Sequence, residues 1–76
     1  MPHAIVKLFA GRSEAQKRRI AEAVAQAIMA AAGSTEAAVS VSVEDIAPDD
    51  WTEKVYRPDI TARPDILYKK PGYEPR

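Results

Sequence analysis

Pro2-His3-Ala4-Ile5-Val6-Lys7-Leu8-Phe9 is followed, one alanine later, by Gly11-Arg12-Ser13-Glu14-Ala15-Gln16-Lys17, and the join between the two decides the fold. The first run alternates. Pro2, Ala4, Val6 and Leu8 fall on one face, and His3, Ile5, Lys7 and Phe9 on the other. Both faces are largely apolar, so residues 2–9 read as a strand covered on both sides. Proline is tolerated at the first strand position, where its missing N–H lies outside the ladder. Gly11-Arg12 turns the chain. Ser13-Glu14-Ala15-Gln16 then has the pattern of a capping box, Ser13 at the N-cap and Gln16 three positions on.

Working outward, the spacing predicts a helix over 14–32 that stops at Gly33. Ile20, Val24 and Ile28 recur every four residues, flanked by Ala23, Ala27 and Ala31, as a stripe facing a sheet. Lys17, Arg18 and Glu22 are expected toward solvent. Residues 39–44 read as a second strand, with Val39, Val41 and Val43 alternating against Ser40, Ser42 and Glu44. Strand, crossover helix and strand make a βαβ unit with two parallel strands, an α+β domain. Pro48-Asp49-Asp50-Trp51 leads into a short helix over 51–57, expected to end before Pro58. Residues 58–76 read as an irregular C-terminal segment that closes on Lys69-Lys70-Pro71-Gly72-Tyr73.

One domain of 76 residues buries little. Small domains gain stability from disulfides, metals or other subunits. There is no cysteine, which excludes disulfides and thiolate metal sites, and the single histidine, His3, excludes a His-rich one. Two strands and a helix cannot enclose a core. The expectation is therefore a homo-oligomer whose second copy completes the sheet and closes the core. Eleven basic and 11 acidic residues balance, so no net field draws the chain to nucleic acid or membrane. No apolar run is long enough to span a bilayer, and no leader of the secretory kind precedes the strand. These features read as a cytoplasmic protein.

Most catalytic constellations are missing. A nucleophile triad has no histidine to draw on except His3, and no glycine-rich phosphate loop is present. The unusual feature is Pro2. Once Met1 is removed, as expected before a small residue, the chain begins with a secondary amine at the head of an apolar strand. Burial and a nearby cation such as Arg12 would lower its pKa toward neutrality and make it a base. The plainer reading is that Pro2 only starts a strand.

Met1-Pro2-His3, the Gly11–Lys17 segment, the crossover helix and the valine-rich second strand together resemble the 4-oxalocrotonate tautomerase family, over roughly residues 2–51. The Pro48–Trp51 turn and the closing Lys69–Tyr73 run resemble its longer, phenylenolpyruvate tautomerase-like branch. That branch forms dimers, and the shorter members form hexamers. The resemblance implies a cofactor-free, metal-free keto–enol tautomerase acting on a small carboxylate. It implies Pro2 as the catalytic base and Arg12 as the carboxylate-binding residue, with Trp51 as an aromatic wall. Ser40 is a departure, because 4-oxalocrotonate tautomerase has a second arginine there that polarises the 2-oxo group. An aryl enolpyruvate, with one carboxylate, then fits better than a dicarboxylate. The hydroxyls of Ser40 and Ser42 are candidates to meet the substrate oxygen, and Lys69 or Lys70 to reach a carboxylate across a subunit boundary. Two alternatives stand beside this: hydration, dehalogenation or decarboxylation by a protonated Pro2, and a βαβ oligomer that binds without turnover.

Overall fold

The computed structural model describes residues 1–74. The last two residues of the expected C-terminal segment lie outside them. Strand β1 spans His3–Phe9, helix α1 Glu14–Ala32 and strand β2 Ser40–Ile46. The strands pair in parallel, His3 opposite Ser40 through Phe9 opposite Ile46. This is the expected βαβ unit. The second strand runs to Ile46, two residues past the expected 44, because β1 is long enough to keep offering it partners: Ala10 N–H still donates to Ile46 C=O at 2.9 Å.

Helix α1 is punctuated as the sequence implies. Ser13 Oγ accepts the Gln16 N–H at 3.1 Å. Gly33 takes a left-handed φ of 70° and gives its N–H to Met29 C=O at 3.0 Å. Nineteen residues at about 1.5 Å each make a rod of about 28 Å. The half-buried stripe is Lys17, Ile20, Ala21, Val24, Ala25, Ile28 and Met29, while Ala23, Ala27 and Ala31 are exposed. The expected alanine flank is thus on the wrong side of the Ile20–Ile28 line. A 100° step per residue puts i+1 and i+4 beside the line as readily as i−1 and i+3, and the sequence alone does not choose. Lys17 also departs from expectation. Its ammonium bridges Asp45 of β2 and Glu14, both at 2.9 Å, and its side chain is mostly covered. The amine can lie on the sheet because its stem packs and its charge is met. Both carboxylates favour the charged amine, by hydrogen bonds first, so its pKa is raised.

The cross-strand register sorts side chains onto two faces. Ala4 with Val41 and Val6 with Val43 face the helix. His3 with Ser40, Ile5 with Ser42, Lys7 with Glu44 and Phe9 with Ile46 face the other way. Part of that outer face is met by the chain's last third. A 3-10 turn at Pro48–Asp50 feeds a π-helix over Thr52–Thr61. The short helix expected over 51–57 therefore runs straight through Pro58. In an ordinary α-helix the Pro58 ring would crowd the carbonyl four residues back and leave a bond unmade. The wider π coil accommodates it, and Ala62 N–H reaches back five residues to Arg57 C=O at 3.0 Å. Thr61 Oγ1 also donates to the Arg57 carbonyl, at 3.3 Å. The segment expected to be irregular from residue 58 holds this helix end and a further 3-10 turn at Pro64–Ile66.

Val55 of the π-helix is the one buried core side chain among the described residues, 5% exposed. Asp59, one turn on, pairs with Lys7 of β1, and that hydrogen bond raises the lysine's pKa. Coverage is partial, since Ile5 on the same face stays 57% exposed. No helix of the described residues is long and apolar enough to cross a membrane.

Candidate active site

Pro2 and Ser40 sit together at the leading end of the sheet. Pro2 is half-buried, and its carbonyl accepts the Ser40 N–H at 3.2 Å. The bond continues the ladder past the last paired residue and fixes the proline's direction. Met1, joined to it, is fully exposed and packs against nothing. The Ser40 hydroxyl is engaged by His3 Nδ1 at 2.7 Å, across the strand pair on the outer face.

Arg12 and Trp51 sit at the trailing end. Arg12 follows Gly11, whose φ of 123° is open to glycine and strained for other residues. Its Nη1 donates to the Phe9 carbonyl at 3.2 Å. Phe9 and Trp51 meet edge to face, ring centroids 5.1 Å apart and planes at 81°, the arrangement aromatic quadrupoles favour. The strand-end carbonyl thus orients the cation, and the strand-end ring orients the indole.

The structure therefore brings Pro2 to Ser40 at one end of β1 and sets Arg12 and Trp51 each against Phe9 at the other, and does not bring the two ends together. Seven residues of β1 lie between them. At about 3.3 Å per residue that is about 20 Å, too far for one small substrate. Within one chain the Pro2 end and the Arg12–Trp51 end cannot serve the same small molecule.

Trp51 lines a cavity of about 750 Å³ with Phe9, Pro48, Asp49, Thr52, Tyr73 and Glu74. Pro2, Arg12 and Ser40 are not among its walls. The indole Nε1–H donates to the Tyr73 hydroxyl at 2.7 Å. Tyr73 is held in turn by the π-helix, where the Tyr56 hydroxyl donates to its carbonyl at 3.5 Å and the two rings lie 5.6 Å apart. Phe9, Tyr73 and Glu74 were not legible as site residues. Phe9 read as one more apolar strand residue, and Tyr73 as tail packing 22 residues from the side chain it contacts. Lys69 and Lys70 are exposed. Lys70 lines a separate cavity of about 680 Å³ with Tyr56, Ile60 and Leu67, away from Pro2. Among the described residues no three His, Asp or Glu side chains gather as a metal would need.

Comparison with known proteins agrees along most of the chain. Residues 2–55 match the family model described as tautomerase enzyme. A probable tautomerase from Xylella fastidiosa is 45% identical over 73 residues, spanning 96% of this chain and 89% of its own. Tautomerase PptA from Pectobacterium carotovorum is 43% identical over 74 residues, 96% of this chain and 97% of its own. A 4-oxalocrotonate tautomerase isozyme structure from Methylibium petroleiphilum superposes with a TM-score of 0.64 at 40% identity, over 66% of this chain and 81% of that one.

Proposed function

The chain belongs to the 4-oxalocrotonate tautomerase family and is a tautomerase, and from that premise we propose that it ketonises a small 2-hydroxy-enoate or enolpyruvate-type acid with Pro2 as the general acid–base. The observation that carries this reading is the head of β1. Pro2 is half-buried and anchored by the Ser40 N–H, while Met1 projects into solvent. Removing Met1 costs no packing and turns an amide nitrogen into a secondary amine whose direction the strand already fixes.

The amine takes the enol hydroxyl proton and returns one to the carbon end of the same three-atom unit. One base serves both positions because they lie close together. A placed base is worth about 10²–10⁴-fold. Arg12 binds the carboxylate and Trp51 walls the conjugated part. Both come from a second copy of the chain, because about 20 Å of strand separates them from Pro2 in their own. That requirement, the open outer face and a core of one buried valine among the described residues all support a homo-oligomer. A dimer is favoured over a hexamer, because the Pro48–Trp51 turn and the closing Lys69–Tyr73 run resemble the longer, dimeric branch of the family. Ser40 supplies no second cation, which supports a monocarboxylate.

The test begins with an intact mass showing loss of Met1. Ketonisation of phenylenolpyruvate and of 2-hydroxymuconate is then followed spectroscopically. Processed wild type is expected to exceed Pro2→Ala by at least about 100-fold on phenylenolpyruvate. Equal rates would end the proline mechanism. A strong preference for 2-hydroxymuconate would end the monocarboxylate reading.

A further inference from the structure

The cavity beside Trp51 has a composition that the proline chemistry does not use. Its walls include the rings of Phe9, Trp51 and Tyr73 and two acidic residues, Asp49 and Glu74, with no basic residue among the described ones that line it. Tyr73 and Glu74 both come from the C-terminal segment, and both follow the matched range of the family model. The contacts make this end of the chain part of the wall. Tyr73 accepts the indole N–H at 2.7 Å, and Phe9 meets the indole edge on from the strand. The indole is therefore held by one hydrogen bond and one ring contact, the first supplied wholly by Tyr73. The Arg12 guanidinium, which is not among the cavity's walls, donates to the carbonyl of Phe9, whose ring is.

We propose that Tyr73, Glu74 and Asp49 are the specificity-determining residues of the site. Tyr73 positions Trp51 as a flat wall for an uncharged aryl or apolar group, and the two carboxylates reject a second carboxylate at that end of the ligand. The proposal rests on the reading that Trp51's cavity receives the part of the substrate remote from the reacting carbons. Arg12, held on the Phe9 carbonyl, takes the first carboxylate, and the acidic residues of the cavity discriminate against the next. A carboxylate a few ångströms from one of these side chains, half in water, is disfavoured about tenfold.

The chain has a single tryptophan, so intrinsic emission reports Trp51 alone. Two ligands without an enol separate binding from turnover: cinnamate, an aryl monocarboxylate, and trans,trans-muconate, a dicarboxylate. The wild type is expected to bind cinnamate at least about tenfold more tightly. Glu74→Gln and Asp49→Asn should each narrow that ratio by strengthening muconate. Tyr73→Phe keeps the ring and removes the acceptor. It should shift the emission and weaken cinnamate several-fold while leaving muconate unchanged. Equal binding of the two ligands by wild type overturns the proposal. So does an unmoved muconate affinity in Glu74→Gln and Asp49→Asn, or a Tyr73→Phe change that falls on both ligands alike. The same titration in Pro2→Ala separates the two readings. Selectivity retained alongside undiminished ketonisation removes the proline mechanism and leaves this proposal standing. Selectivity absent while ketonisation depends on Pro2 does the reverse.

Discussion

The βαβ half, through Ile46, and the segment from Pro48 onward are held together in different ways. In the first half repetition does the work. A strand pairs with a strand residue by residue, and a helix lays one stripe across the same few side chains. In the second half single contacts do. Val55 is buried, Asp59 meets Lys7, Tyr73 meets Trp51, and a π-helix goes around a proline that an α-helix would not accept. A repeated pattern degrades gradually when one member is lost. A set of single contacts fails at the one removed.

Substitutions can press on that difference, the strongest first. Val55→Asp puts an unpaired charge where the one buried core side chain among the described residues stands, at a cost of at least about 3 kcal/mol. If the halves are separate in kind, amide exchange should lose protection over 52–61 while His3–Phe9 and Ser40–Ile46 keep theirs. Uniform loss of protection would show one cooperative unit instead. Gly33→Ala tests the punctuation of the first half. No atom lies within 4 Å of the new Cβ, so the cost is the left-handed backbone alone, about 1 kcal/mol by urea unfolding. Ser13→Ala removes the N-cap bond to Gln16 and should cost about the same, with kinetics on either substrate unchanged.

The smallest effect is expected at the seam. Lys7→Met should cost at most about 1 kcal/mol, because both partners are partly in water. Its pH dependence has a definite sign. Asp59 raises the folded-state pKa of Lys7 above the ordinary 10.5. The pair's contribution is therefore complete below 10.5 and fades as pH climbs through the raised value. Wild type and Lys7→Met should differ by a constant amount from about pH 6 to 9 and converge only as pH climbs through the raised lysine pKa. A difference already shrinking near pH 8 would mean that another group carries it.

The same division explains what the sequence allowed to be read. Alternation placed both strands, and Ser13 and Gly33 bounded the helix, because each signal is local and repeated. Beyond residue 50 the deciding partners are far apart in the chain. Nothing near Pro58 announces that Lys7, 51 positions earlier, faces the residue after it. Lys17 was misplaced for a related reason, since a lysine beside an apolar stripe reads as solvent-facing until Asp45 appears opposite it. Pro2 and Ser40 are neighbours through the ladder, so parallel pairing implied their meeting. The Trp51–Tyr73 bond depends on how the tail returns, which no spacing encodes.

A lone protomer whose described interior amounts to one valine has little to gain from folding by itself. If a second copy supplies the missing cover, then melting temperature is a property of the solution as much as of the polypeptide. Each tenfold dilution of a dimer removes about 1.4 kcal/mol from the associated state. Thermal scans at several concentrations should then fan out, and two laboratories working at different dilutions would report two different stabilities for the same molecule.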